Sequence, residues 1–426
     1  MTRRVVITGV GAVSPVGNTG AASWEALMAG RSGIGEITQF DASEYPVHVA
    51  GEVRDFDPTL AMDPKDARRH DRYTHFAVAA ADEALRQAGL LGAGDMLDPA
   101  QADPDRFGIV LGTGIGGIGL ISQALKTLTE RGFSRISPFL LPNVIPDSAS
   151  GMVAIQFGIR GHNLAVVSAC ATGGHAVGEA MEAIVRGQAD LMLGAGAEAV
   201  IVPLTYAGFT QMRALGSPID PDTGEYSPAM ASRPFDATRD GFVVAEGSAV
   251  LVLEELEHAL ARGVPILAEV VGYGSSSDAY HMAAPAERGE GNQRAMRAAL
   301  ARAGMEPSAV DYINAHGTST PLNDRYETMA IRDVFGAHAD ALAVSSTKSM
   351  TGHMMGAAGA FELFTCVQAL VTGWLPPTIN HRHADPECDL DYVPNAARQA
   401  NPSVVLSNSM GLGGHNSTVI LRSYAP

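Results

Sequence analysis

Cys170, His316 and His353 are the residues around which chemistry can be built. Cys170 lies in LAVVSACATGGHAVGEAMEAIVRGQ, where the apolar run from Leu164 to Val167 gives way to a turn of small residues. Beyond the turn, Val177, Ala180, Met181 and Ile184 recur at helical spacing, so the pattern predicts strand, sharp turn and helix. A cysteine at that junction sits near free N–H groups and the positive end of a helix dipole. Both favour thiolate over thiol, and both can hold an oxyanion during acyl transfer. Taken alone, one cysteine reads more simply as a buried, inert side chain. His316 follows the apolar run Val310 to Ile313 in NAHGTSTPLND, and Lys348 and His353 follow a second run in STKSMTGHMMGAAG. A single histidine in such a place is most simply a hydrogen-bonded core residue. Two, each behind an apolar strand and inside a run of Gly, Ser and Thr, are harder to explain as core. No HExxH or CxxC pair accompanies them, so they do not read as a metal site. One thiol with two imidazoles is an acyl-transfer set: a nucleophile, and two donors for negative charge on a carbonyl oxygen.

The elements that must position these residues follow from pattern. With 426 residues, 46% of them hydrophobic and 18% charged, the chain can bury a large core as two domains or one double domain. Arg4 to Val10 predicts a strand ending in the Gly-rich turn GVGAVSPVGN; Gly9, Gly11 and Gly17 with Pro15 between them do not make a dinucleotide fingerprint. THFAVAAADEALRQAGLLG predicts an amphipathic helix ending at Gly89 and Gly92, behind a basic cluster of Lys65, Arg68, Arg69 and Arg72. Further strands are predicted at Arg106 to Leu111, Asp190 to Gly196, Ala249 to Glu254 and Ile266 to Tyr273, with helical patterns between them. Strands alternating with helices argue for an α/β fold. The second half repeats the element order of the first, since AVSSTKSMTGHMMGAAG has the same strand, tight turn and small-residue helix as AVVSACATGGHAVG.

Charge and cysteine content exclude some functions. Forty-six acidic against 29 basic residues give a net charge of −17, which argues against nucleic acid as a partner. Three cysteines without pairing motifs point to a reducing, cytoplasmic setting, and no signal peptide or membrane segment is expected.

The chain resembles the β-ketoacyl-[acyl carrier protein] synthases, most closely the elongating type II class of fatty acid synthesis. The motifs that carry the resemblance span nearly the whole length: ITGVGAVSPVG, RFGIVLGTGIGG, SACATGGH, GAGAEA, FDATRDGFVVAEG, NAHGTSTP, SSTKSMTGHMMGAAGAFE, LPPTIN and NSMGLGGHN. The resemblance implies a thiolase-like fold with halves at 1–257 and 258–426, each a mixed five-stranded sheet layered α-β-α-β-α, in a homodimer. It implies that Cys170 takes an acyl chain from acyl carrier protein, and that His316 and His353 stabilise the enolate formed as malonyl-carrier protein loses carbon dioxide. Condensation then gives a β-ketoacyl chain two carbons longer. Backbone N–H groups of Cys170 and Leu412 match the family's oxyanion hole, and Lys348 with Glu362 its supporting charged pair. Thr318 and Thr320 match pantetheine-binding hydroxyls, Asp278 a residue ordering the gating loops, and Ile115 the end of the acyl tunnel. Lys65, Arg68, Arg69, Arg135 and Arg213 match the carrier-protein interface. No cofactor is expected beyond the phosphopantetheine that arrives on the carrier protein. Two positions depart from the family pattern: Leu412 stands where a gatekeeper Phe is usual, and Ala283 where Thr is usual. A polyketide ketosynthase shares the three reactive residues and is the main alternative; a noncatalytic chain-length factor lacks the cysteine. A thiolase would need a second basic cysteine, which neither Cys366 nor Cys388 supplies convincingly.

Overall fold

The structure is a computed structural model that describes residues 3–425, so the outer bounds of the two expected halves, 1 and 426, lie outside the described residues. The first half supplies β1 (Val5–Val13), β2 (Phe107–Gly112), β3 (Asn163–Val166), β4 (Leu191–Glu198) and β5 (Gly247–Glu255). The second supplies β6 (Ala268–Ser277), β7 (Tyr312–Asn314), β8 (Ala343–Ser345), β9 (Val404–Gly411) and β10 (His415–Arg422). Strand order is β1-β5-β4-β2-β3 in the first set and β6-β10-β9-β7-β8 in the second. The pairing types repeat as well. β1/β5 and β5/β4 are antiparallel and β4/β2 and β2/β3 parallel, matched by β6/β10, β10/β9, β9/β7 and β7/β8. The two sheets also meet edge to edge. β1 and β6 pair antiparallel through Val5, Val6 and Ile7, joining all ten strands in one hydrogen-bonded order.

Every residue of β1 is buried, which is why it reads as a continuous apolar run rather than an alternation. It also runs three residues past the expected end. Gly9 and Gly11 are not turn residues; a Cβ on them would lie 2.3 Å from the Ala84 carbonyl oxygen and 2.1 Å from that of Ala80. The glycines let the strand pass against the backbone of α1 (Arg72–Gln87). The turn comes later, at Ser14 to Gly17.

Helices cover both faces of each sheet. The elements that matter for the site are α1, α2 (Ile118–Arg131), α3 (Ser148–Phe157), α4 (Thr172–Val185), α5 (Glu290–Ala303), α6 (Pro321–Phe335) and α7 (Ala358–Thr372). α1 and α3 pack outside the first sheet and α5 outside the second with α6 beside it; α4 and α7 lie in contact between the sheets. This is the thiolase-like α-β-α-β-α layering. The central helices touch backbone to backbone, since a Cβ on Gly173 would lie 2.4 Å from the Ala360 nitrogen and one on Gly359 2.5 Å from that of Gly174. Small residues in both motifs therefore bring two helix N-termini together, one from each half. Met355–Thr372, which includes α7, is the one helical stretch among the described residues long and apolar enough to cross a membrane, and 78% of it is buried inside the protein.

Candidate active site

The nucleophile candidate sits where strand, turn and helix were expected. β3 ends at Val166, a short turn spans Ala169–Ala171, and α4 begins at Thr172. Ala169 has φ of 50°, a conformation that costs a non-glycine residue about 1 kcal/mol or more. The turn is held by Thr172 Oγ1, which accepts from the Ser168 N–H at 2.8 Å, and by Ser168 Oγ against His175 Nδ1 at 2.6 Å. Because His175 Nε2 lies 3.2 Å from the Asn416 carbonyl oxygen, Nε2 carries the proton and Nδ1 accepts from Ser168.

Cys170, His316 and His353 line one cavity of about 490 Å³. His316 emerges just after β7. Its backbone N–H and that of Gly317 donate to Glu327 on α6, each at 2.8 Å. His353 follows β8 and a short helix, Lys348–Thr351. The two imidazoles meet edge to face with centroids 5.4 Å apart, and Phe242 packs edge-on to His353 at 5.6 Å. Neither ring nitrogen of His353, nor Nδ1 of His316, has a hydrogen-bond partner among the described residues. Burial pushes both histidines well below their ordinary range, with Lys348 adding to the effect. Both are neutral at pH 7, and so are N–H donors without a full positive charge.

Lys348 and Glu362 lie behind the histidines rather than in the cavity wall. They form a buried ion pair, and Lys348 Nζ also donates to the His316 carbonyl oxygen at 2.6 Å. Burial pushes the Glu362 carboxyl up to about 7 against the pull of Lys348.

The expected thiolate is not the resting state. Burial in the cavity pushes the Cys170 thiol up to about 12; Lys348 and the backbone N–H of Leu412 pull it down, and Glu198 opposes them. Desolvation outweighs the helix dipole because an apolar wall removes water from the charged form, while the dipole supplies only partial charge. A raised thiol value means that little thiolate exists at neutral pH and that each unit of rising pH adds about tenfold more. Alkylation of Cys170 by iodoacetamide is therefore expected to accelerate steadily from pH 7 to 10. A plateau near pH 7 would show a low thiol value instead.

The same cavity is lined by Thr318, Thr320, Asp278, Leu412, Ala283 and Arg213. The hydroxyls of Thr318 and Thr320 bond each other at 2.9 Å. Asp278 ties two loops together, accepting from the Ala286 N–H at 3.0 Å and from Asn416 Nδ2 at 2.7 Å. Leu412 occupies the hairpin between β9 and β10, where Gly413 and Gly414 supply the positive φ that the tight turn requires. Ile115 is not part of the cavity lining; it lies in the loop after β2, 43% exposed, with its N–H on Glu198. Lys65, Arg68, Arg135 and Arg213 are exposed, and Lys65 and Arg68 make no ion pair among the described residues. Arg69 lies 3.8 Å from Asp66 and over the Phe139 ring, and Arg72 is drawn away to the buried Glu246. Phe242 and His175 lie in the family motifs but carried no role there, and Glu327 carried none, because their contacts with the site are made only when the chain folds. Cys366 is buried in α7 and Cys388 in a loop, neither of them in the cavity.

Comparison with known proteins agrees with this geometry. Residues 2–259 match the β-ketoacyl synthase N-terminal domain and residues 267–382 the β-ketoacyl synthase C-terminal domain. The chain is 49% identical to the 3-oxoacyl-[acyl-carrier-protein] synthase 2 of Synechocystis sp., over 99% of this chain and 98% of that protein. Among solved structures it is similar to the ishigamide ketosynthase/chain length factor, with a TM-score of 0.90 and 38% identity covering 100% of both chains. It is similar also to the AntDE ketosynthase, solved in complex with its type II polyketide acyl carrier protein AntF, with a TM-score of 0.90 and 33% identity over 100% of both chains. The chain belongs to the β-ketoacyl synthase family.

Proposed function

We propose that this chain is a 3-oxoacyl-[acyl carrier protein] synthase that elongates fatty acyl chains by decarboxylative condensation. The observation that carries the reading is the convergence of one thiol and two neutral imidazoles on a single cavity. Cys170 sulfur attacks the thioester of an acyl-carrier protein; the developing oxyanion takes the N–H groups of Cys170 and Leu412, and the pantetheine thiol leaves with the proton. Malonyl-carrier protein then loses carbon dioxide, and the enolate oxygen is held by His316 and His353. Its carbon attacks the acyl-Cys170 carbonyl, a carbon–carbon bond forms, and the Cys170 sulfur departs. Neutral donors in a dry site suit this step, since they stabilise charge that appears only in the transition state. Lys348 and Glu362 orient His316 through its carbonyl, and Thr318 and Thr320 offer hydroxyls to the pantetheine amides.

Fatty acid service is favoured over polyketide service by the higher identity to the synthase 2 relative than to the polyketide ketosynthases. The reaction so read calls on no resident cofactor, because phosphopantetheine arrives on the carrier protein. Intact-mass analysis with acyl-carrier proteins, then malonyl-carrier protein, tests the reading. An acyl adduct on Cys170 that is discharged as a product two carbons longer is expected; the absence of any adduct would remove it.

Lys65, Arg68, Arg135 and Arg213 are exposed cations and Arg69 a half-exposed one on an acidic chain, suited to steering an acidic carrier protein. Reversing Lys65 and Arg68 together to Glu is expected to raise the carrier-protein KM about tenfold at low salt, with a smaller effect at high salt and kcat retained. Equal KM values would move the docking surface elsewhere. The free edge of β3 with Leu164 and Val167, and the exposed Leu125 and Ile155, support a homodimer through this face. Sedimentation at the mass of one chain would oppose it. Three free thiols fit the cytoplasm, and fractionation with membranes would oppose that placement. The repeated strand order supports halves at 1–257 and 258–426, and limited proteolysis cutting first inside either sheet would oppose the division.

A further inference from the structure

The two halves carry the same turn at the N-terminus of their central helices, but only one is used for chemistry. In the first half, Ala169 at φ 50° precedes Cys170 in the turn that leads into α4. In the second, Met355 at φ 45° precedes Gly356 in the turn Met355–Ala357 that leads into α7. Gly356 therefore holds the place that Cys170 holds in the other copy. Its N–H does not face the substrate cavity. It donates instead to Glu198, the last residue of β4, at 2.9 Å.

Glu198 is fully buried, and no basic residue pairs with it among the described residues. Besides Gly356, it accepts from Thr113 Oγ1 at 2.9 Å, from the Gly114 N–H at 2.6 Å and from the Ile115 N–H at 3.3 Å. Thr113 Oγ1 in turn accepts from the Gly116 N–H at 3.1 Å. One carboxylate thus gathers the whole loop after β2 and fastens it to the turn two residues beyond His353. The fit is close on both sides: a Cβ on Gly356 would lie 2.3 Å from the Gly114 nitrogen, and one on Gly114 would lie 2.6 Å from Glu198 Oε2. A carboxylate answers several converging N–H groups as an oxyanion does, and needs no countercharge where such donors are preorganised.

We propose that Glu198 is a positioning residue for acyl-chain selection: it fills the disused second copy of the oxyanion site and fastens the Ile115 loop to the turn that follows His353. This rests on the reading of Cys170 as the acyl carrier and of Ile115 as the end of the acyl path. Among the described residues Glu198 makes no hydrogen bond to Cys170, His316 or His353. It acts through the backbone of the loop that bears Ile115.

The test is the ratio of kcat/KM for tetradecanoyl- against hexanoyl-carrier protein, with malonyl-carrier protein as the second substrate. Glu198→Gln keeps the shape but turns one acceptor into a donor facing N–H groups, so the loop loses its register. The ratio is expected to change about tenfold or more, the scale at which a methylene is discriminated in an apolar pocket. Thr113→Val, which removes one partner and is the milder change, is expected to shift it in the same direction by a smaller factor. A merely structural role would lower both donors equally and leave the ratio alone. Ile115→Ala is measured beside them. If it shifts the ratio while Glu198→Gln and Thr113→Val both leave it within about twofold, the role of Glu198 is overturned and the acyl path stands. If Ile115→Ala leaves the ratio unchanged too, the acyl path itself is wrong and the role of Glu198 falls with it. Where Glu198→Gln does not fold, Thr113→Val decides on the same criterion.

Discussion

Condensation by a Cys170→Gln variant is expected to fall by at least about 10⁴-fold, while malonyl-carrier protein continues to be decarboxylated. The two half-reactions draw on different residues. Acyl capture needs the sulfur, since an amide forms no thioester. Enolate formation needs the two histidines, whose rings meet each other and Phe242 and do not depend on the thiol for their packing. The measurement is carbon dioxide release alongside β-ketoacyl product, both from malonyl-carrier protein. Product formation at the rate of the unmodified enzyme would refute Cys170 as nucleophile. Loss of both half-reactions would show that Cys170 also organises the enolate site.

Replacing Lys348 with Met is expected to cost about 3–5 kcal/mol of stability and to impair catalysis as well. The Lys348 and Glu362 side chains are 3% and 2% exposed, so removing the cation leaves the Glu362 carboxyl in an apolar setting, where it must take up a proton or stand as an unpaired charge. One oxygen of Glu362 already has no hydrogen-bond partner among the described residues. The double change Lys348→Met with Glu362→Gln is expected to recover much of the lost stability, because the glutamine keeps the shape without a carboxyl that must be protonated or left unpaired. Catalysis carries a separate sign. Lys348 helps to hold His316 and His353 below their ordinary range, so its removal raises both. The imidazoles then take up protons at a higher pH, and the acid limb of malonyl decarboxylation moves upward. Chemical denaturation of the single and double variants, with a pH profile of decarboxylation for the folded ones, checks both parts. A single variant as stable as the parent, or an acid limb that does not move, would remove the charged pair from this role.

The raised Cys170 thiol bears on how such a nucleophile works. A free thiolate would be open to alkylation and oxidation between turnovers, whereas a buried thiol meets a base or its leaving group only when a thioester enters. Lys348 and the Leu412 N–H are placed to receive the charge when it forms.

What the amino-acid sequence determined by itself was the list of elements and the chemical set. Strands and helices are local: an apolar run of β-branched residues, or apolar residues at helical spacing, declares itself within a dozen positions, and so β2, β4, α4 and the helix after Asp71 were legible. Cys170, His316, His353 and Lys348 were legible because reactive residue types stood beside glycines at strand ends, and the many family motifs named their chemistry. Tertiary structure alone decided the rest. Gly9 and Gly11 looked like a turn, yet they are the floor against which the α1 backbone lies, since a missing side chain signals both uses alike. The helix dipole at Cys170 suggested a thiolate, yet the residues that desolvate it come from other loops and from the other half of the chain. Glu327 and Glu198 drew no role from the sequence, because a buried acceptor is recognised by the N–H groups that converge on it, and those come from residues far apart in sequence. Burial is a property of the whole packed chain, and it outweighs local dipoles and propensities because removing water from a charge costs more than a nearby partial charge returns.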